Sequence, residues 1–104
     1  MKDETKFRQG KVIPFLKTLK NTVYFPIQQA SINGTPDFFV CINGVFIALE
    51  LKAEKGHLSK LQAYQLKRIL DCGGVSLVAR PDNWEETKIF LSKVDREEKD
   101  YGND

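Results

Sequence analysis

Apolar residues recur at Val12, Phe15, Leu16 and Leu19, the i, i+3, i+4, i+7 spacing of one helical face. This predicts a first helix from Asp3 to Lys20. Gly10 and Pro14 lie inside it, so a kink or a break into two pieces is expected. Thr22 to Ile27 (TVYFPI) is rich in strand-forming residues. Pro26 cannot donate to a ladder, which places this segment at a sheet edge or a strand end. Gln28 to Thr35 reads as a loop with Asn33-Gly34 as its turn signal.

Two β-type runs follow, Phe38 to Ile42 and Val45 to Lys52, separated by Asn43-Gly44. Asn-Gly suits a type I′ hairpin because both turn positions need positive φ. A two-residue loop fixes the register: Ile42 faces Val45, Phe38 faces Leu49, and Asp37 faces Glu50. Alternation then sorts the hairpin into two faces. Phe38, Val40, Ile42, Val45, Ile47, Leu49 and Leu51 form a wholly apolar face. Asp37, Phe39, Cys41, Phe46, Ala48, Glu50 and Lys52 form the other, which is apolar near the turn and charged at its far end. The hairpin therefore reads as the centre of a sheet covered on both faces, with Cys41 a small core residue.

After a loop from Ala53 to His57, Ser59 starts a helix that Gly73-Gly74 ends with a left-handed cap. Val75 to Ala79 is apolar without alternation, as in a strand buried on both faces. Asp82 or Asn83 is expected to cap a final helix, with Trp84, Phe90, Leu91 and Val94 on its buried side. The order is α-β-β-β-α-β-α, without internal repeat or linker. It reads as one domain over 1–95 with a polar tail over 96–104.

The length allows one core, and 41% of residues are hydrophobic. No apolar run approaches the roughly 20 residues that cross a bilayer, so no membrane partner is expected. Cys41 and Cys72 are far apart and form no C-x-x-C pair, so a disulfide scaffold and a zinc knuckle are both disfavoured. A reducing, cytoplasmic setting is expected. The net charge of +2 hides an asymmetry. Residues 1–82 carry 12 basic and 7 acidic side chains, and residues 83–104 carry 4 and 7. A basic body with an acidic end permits a polyanionic partner, but charge alone favours an ordinary solvated helix face, since typical nucleic-acid binders are far more basic.

The candidate chemistry sits at the charged end of the hairpin. Asp37 and Glu50 as cross-strand neighbours would have β-carbons about 4.5–5.5 Å apart, and like charges there repel. A hard divalent cation such as Mg²⁺ would resolve the conflict. Lys52 lies two residues on, on the same face. Two carboxylates, a metal and a lysine suit phosphodiester hydrolysis. An ordinary reading stays open: Glu50 and Lys52 as a strand-end ion pair, Asp37 as a turn residue after Pro36. Gln62 also has two readings. Ser59 and Gln62 fit a capping box, which the local pattern favours. Yet Gln62 shares a helical face with Leu66, Ile69 and Leu70, which turns it toward the sheet. His57, the single histidine, reads as an exposed loop residue. There is no glycine-rich phosphate loop.

Asn33-Gly34-Thr35-Pro36-Asp37, Ala48-Leu49-Glu50-Leu51-Lys52, Leu61-Gln62 and Gly73-Gly74-Val75 together resemble the VRR-NUC family of the PD-(D/E)xK nuclease superfamily, in its compact stand-alone phage-type form. The resemblance covers roughly Phe7 to Leu91. It implies an α/β fold with an αβββαβ restriction-endonuclease-like core: a central mixed β-sheet flanked by helices, here with an added C-terminal helix. It implies Mg²⁺- or Mn²⁺-dependent endonucleolytic cleavage of DNA, with flaps or Holliday junctions as substrates, a homodimer, and a bacterial or phage-infected cell as the setting. Asp37, Glu50 and the Leu51 backbone carbonyl would be metal ligands, Lys52 the catalytic lysine and Gln62 the helix glutamine. Glu4 is the candidate for the first-helix glutamate of many members, if that helix runs unbroken. Lys55, Lys60, Lys11 and Arg8 are candidate phosphate contacts, with Lys6, Lys17 and Lys67 behind them. A non-catalytic DNA-binding module on the same fold is the alternative, disfavoured by the intact Asp37, Glu50 and Lys52 set.

Overall fold

The computed structural model describes residues 2–28 and 31–97. Its elements follow the expected order: α1 (Lys2–Phe7), a π-helical segment (Arg8–Val12), α2 (Ile13–Leu16), β1 (Thr22–Pro26), β2 (Phe38–Ile42), β3 (Val45–Leu51), α3 (Lys60–Asp71), β4 (Val75–Ala79), a 3₁₀ turn (Pro81–Asn83) and α4 (Trp84–Arg96).

The four strands form one sheet in the order β1-β2-β3-β4. The first three run antiparallel, and β4 joins β3 in parallel through the α3 crossover. The hairpin register matches the expectation, with Ile42 opposite Val45 and Phe38 opposite Leu49. Asn43 (φ 53°) and Gly44 (φ 87°) supply the two positive φ angles that the turn needs. The Asn43 side chain donates to the Val94 and Glu97 carbonyls, tying the turn to the end of α4.

The core lies on the face of Phe38, Val40, Ile42, Ile47, Leu49 and Leu51, all buried. Phe7, Val12 and Leu16 cover it from the first helical run, and Trp84, Leu91 and Val94 from α4. Trp84 makes edge-to-face contacts with Phe7 and Phe15. Each such large side chain contributes about 1.5–3 kcal/mol by leaving water. The face of Ala48 and Glu50 is turned the other way, toward α3, where Ser76 Oγ donates to the Leu66 carbonyl.

As expected, the first helix is interrupted around Gly10 and Pro14: a π-helical segment separates α1 from α2, and the run continues through it by changing register. Ile13 N–H donates to the Arg8 carbonyl five residues back, a π-helical bond. Proline has no N–H and crowds the carbonyl four residues before it, so an ordinary α-turn there is costly. The wider turn shifts the phase of everything upstream by one residue. Buried Phe7 and Val12 are accordingly five positions apart.

Four expectations are corrected. Cys41 is exposed, not a core residue. The α3-side face is uncovered near the hairpin turn, where Phe46 is 43% exposed, and on β1, where Val23 and Phe25 are 55% and 58% exposed. α3 packs on β4 and leaves these positions open to solvent. β4 is an edge strand, half-buried except at Ala79. Phe90 is exposed, and Thr87 and Asp95 are buried on α4 in its place.

The caps divide similarly. Ser59 is the N-cap of α3 as expected. At its other end, Gly73 N–H bonds the Leu70 carbonyl and Gly74 N–H the Ile69 carbonyl, with Gly73 at φ +95°. That is the Schellman arrangement. Asn83 occupies the N-cap position of α4 but makes no side-chain cap. Its amide instead accepts from Arg80 N–H and donates to the Val78 carbonyl. α4 runs through Arg96, and residues 98–104 of the expected tail lie outside the described residues.

Asp95 is a structural carboxylate. Burial works to raise its pKa, but the backbone N–H groups of Lys20 and Asn21, and the Thr22 hydroxyl, hold it below the ordinary value. It fastens α4 to the entry of β1.

Candidate active site

The end of the hairpin gathers the charged residues. β3 carries Glu50 on the α3 side, with only 2% of the residue exposed. Asp37 lies one residue before β2. Its Oδ2 accepts from the Leu51 N–H at 2.7 Å, and its backbone carbonyl accepts from Ile27 N–H at 2.8 Å. These two bonds hold Asp37 across the strand from Glu50. Lys52 continues β3, its N–H bonded to the Ala79 carbonyl on β4 at 3.0 Å. Its Nζ lies 3.6 Å from Glu50 Oε2.

Gln62 takes both of the roles that the sequence left open. Its Oε1 accepts from Ser59 N–H at 2.9 Å, and its own N–H donates to Ser59 Oγ at 3.0 Å, which completes the capping box. Its Nε2 donates to Glu50 Oε2 at 3.0 Å. An amide has an acceptor end and a donor end, so the two roles do not compete. The close approach of the preceding loop helps to place this helix start. Gly34 sits at φ +84°, and a Cβ there would lie 2.6 Å from the Leu61 carbonyl oxygen.

The Glu50 carboxyl is pushed up from an ordinary value of 4.5 to about 7. Burial is the largest cause and the Asp37 charge the next; Lys52 opposes both, and Glu4 adds a smaller push upward. The site thus keeps a carboxylate in a place that disfavours its charge, a feature common at functional sites.

Glu4 reaches the margin of this group. It is half-buried, and its charge acts on Glu50. Among the described residues no three His, Cys, Asp or Glu side chains come together as a metal-binding cluster. The two carboxylates set facing each other are Asp37 and Glu50, with Glu4 near enough for its charge to act on Glu50.

Each of those carboxylates has one oxygen without a hydrogen-bond donor among the described residues, Oδ1 of Asp37 and Oε1 of Glu50. Two hard oxygens from mutually repelling carboxylates, with a backbone carbonyl next in the chain, fit Mg²⁺ or Mn²⁺.

Of the candidate phosphate contacts, Arg8 is paired with a site carboxylate. Its Nη1 is 3.8 Å from Asp37 Oδ1. Lys11, Lys55 and Lys60 are exposed, and no ion pair ties them to a described acidic group. Lys67 is paired with Asp71.

One supporting residue was absent from the sequence reading. Arg80, just past β4, donates to the Ala53 and Gly56 carbonyls and so pins the loop that follows Lys52. No sequence pattern signals this contact, because both acceptors are backbone groups.

No family model matches the chain, and no curated protein or solved structure matches it.

Proposed function

We propose that this chain is a Mg²⁺- or Mn²⁺-dependent endodeoxyribonuclease. One observation carries the reading: Asp37, Glu50 and Lys52 converge at the end of one hairpin, with Glu50 buried beside a like charge. A purely structural ion pair has no use for the second carboxylate. The four-stranded mixed sheet with helices on both faces is compatible with the αβββαβ nuclease core that the sequence resembles.

In this reading Asp37 and Glu50, with the Leu51 carbonyl, would hold the metal, and Glu4 is a candidate further ligand from the first helix. The bound metal supplies Lewis-acid polarisation and lowers the pKa of a coordinated water. Gln62 fixes the Glu50 carboxylate through Oε2 and leaves Oε1 available. Lys52 keeps its ammonium beside the reacting phosphate, where it stabilises the charge that develops on the oxygens. Arg80 steadies the loop after Lys52.

The resemblance extends the proposal to branched DNA, flaps or four-way junctions, and to a homodimer. The exposed apolar face of Val23, Phe25 and Phe46 offers such a dimer a surface to bury. A reducing cytoplasm would keep the exposed Cys41 and Cys72 as free thiols.

The test is cleavage of linear, flap and four-way-junction DNA with Mg²⁺, Mn²⁺ or EDTA, beside Glu50→Gln and Lys52→Ala. Metal-dependent cutting that both substitutions abolish is expected. Salt-sensitive DNA binding without any cutting would overturn the enzyme reading in favour of a binding module.

A further inference from the structure

Arg8 combines three features that ordinary surface arginines lack together. Its side chain is only 20% exposed. Its guanidinium carbon lies 4.8 Å from the centroid of the Phe38 ring, a cation–π contact that holds the planar group in one place. Its closest carboxylate oxygen, Asp37 Oδ1, is 3.8 Å away. A charge-assisted N–H···O bond spans about 2.7–2.9 Å, so this ion pair is not hydrogen-bonded. None of the five guanidinium N–H donors has a hydrogen-bond partner among the described residues, whose side-chain bonds do not include Arg8. None of its nitrogens is sealed from solvent either.

The backbone explains how it got there. In an unbroken α-helix the residue one turn before buried Val12 on the core face would be Arg8 itself. The π-helical turn forced by Pro14 moves Phe7 into that place and rotates Arg8 off the core, toward the end of β2. The chain thus spends an irregular turn on setting a guanidinium beside Asp37 without committing its donors.

We infer that Arg8 is a further catalytic residue, whose guanidinium grips the non-bridging oxygens of the phosphodiester bound against Asp37 and Glu50. A planar fork with parallel donors matches two phosphate oxygens, and its charge offsets that of the carboxylate pair as the phosphate enters. Arg8 pairs with Asp37 and Lys52 with Glu50, so each carboxylate has its own cation. The phosphate would be held between two cations, one a fork and one a point charge. This rests on the nuclease reading, and the test below separates the two.

The experiment uses the full chain, a fluorescein-labelled flap duplex, and the variants Arg8→Ala and Arg8→Lys. Binding is measured in EDTA by anisotropy over a range of salt, and single-turnover cleavage is measured in Mg²⁺. Arg8→Ala is expected to lower the slope of log K against log salt by about one, the loss of one phosphate contact. Its cleavage rate at saturating protein is expected to fall about 100-fold or more, as when one charge-stabilising donor is removed. Arg8→Lys should restore the binding slope and leave cleavage at least about tenfold down, because the fork is lost while the charge remains. Millimolar guanidinium chloride, but not equal sodium chloride, should partly rescue Arg8→Ala, which a role in helix packing would not allow. Cleavage by Arg8→Ala within threefold of the parent, or by Arg8→Lys equal to the parent, overturns the assignment and leaves the nuclease reading intact. Wild-type protein that binds DNA in EDTA with an Arg8-dependent slope, yet never cuts, overturns the catalytic role together with the nuclease reading.

Discussion

Glu50→Gln is expected to stabilise the metal-free protein increasingly as pH rises. The Glu50 carboxyl is held at about 7 in the fold, against 4.5 as its ordinary value. Between those two pH values the folded state keeps a proton that the unfolded chain has released. Stability from this group is therefore complete below pH 4.5 and is lost as pH rises through 7. Each pH step of one costs at most about 1.4 kcal/mol, and the whole window about 3 kcal/mol.

The variant cannot ionise there, so its stability does not carry this loss. Its amide oxygen can still accept from Gln62. The attraction to Lys52 that the parent gains on ionising is already contained in the Glu50 value of about 7. Asp95 and the other titrating groups are common to both proteins and cancel. The difference between variant and parent should thus grow by about 3 kcal/mol from pH 4.5 to 8. At about 4–8 °C per kcal/mol for a domain near this size, the gap in Tm widens by more than about 10 °C. Thermal or urea unfolding in EDTA at five pH values between 4.5 and 8.5 measures it. A gap that stays flat would refute the reasoning, because it would place Glu50 in an ordinary environment, neither desolvated nor repelled by Asp37.

Two other substitutions follow from the same geometry. Asp95→Asn turns an NH2 toward the Lys20 N–H while its Oδ1 can still accept from Asn21 and Thr22, and should cost about 1–3 kcal/mol at pH 7. Since the pKa of Asp95 is lowered, its contribution is present above the unfolded value of 3.8 and fades as pH falls below it, so urea titrations at pH 3 and pH 7 should show the cost shrinking in acid. Ser59→Ala and Gln62→Ala each remove half of the capping box and should each cost about 1 kcal/mol in urea unfolding. Only Gln62→Ala also frees Glu50 Oε2, so it alone should slow metal-dependent cleavage, by about 10–100-fold.

What the sequence revealed and what it hid divide along one physical line. The hairpin register was legible because two local rules act together. Asn43-Gly44 fixes the turn through positive φ, and strand alternation carries that register to Asp37 and Glu50. The Schellman end of α3 is equally local. Burial is not local. Val23, Phe25, Cys41 and Phe46 are apolar in the sequence whether or not a helix covers them, and here they are exposed. The role of Asp95 could not be read because its donors lie more than 70 residues away along the chain.

The first helix is the instructive intermediate case. Its register change is written in the sequence, in the five-residue step from Phe7 to Val12 and the four-residue step from Gly10 to Pro14. An α-helical template reads the same residues as a defect. Counting the apolar positions back from Val12 resolves it: Arg8 would occupy the core position in a regular helix, and a guanidinium buried there would lack any partner. A π turn removes that conflict and gives the core Phe7. The step that keeps the core apolar is therefore the step that delivers Arg8 to Asp37, and packing and site geometry in this helix have a single cause.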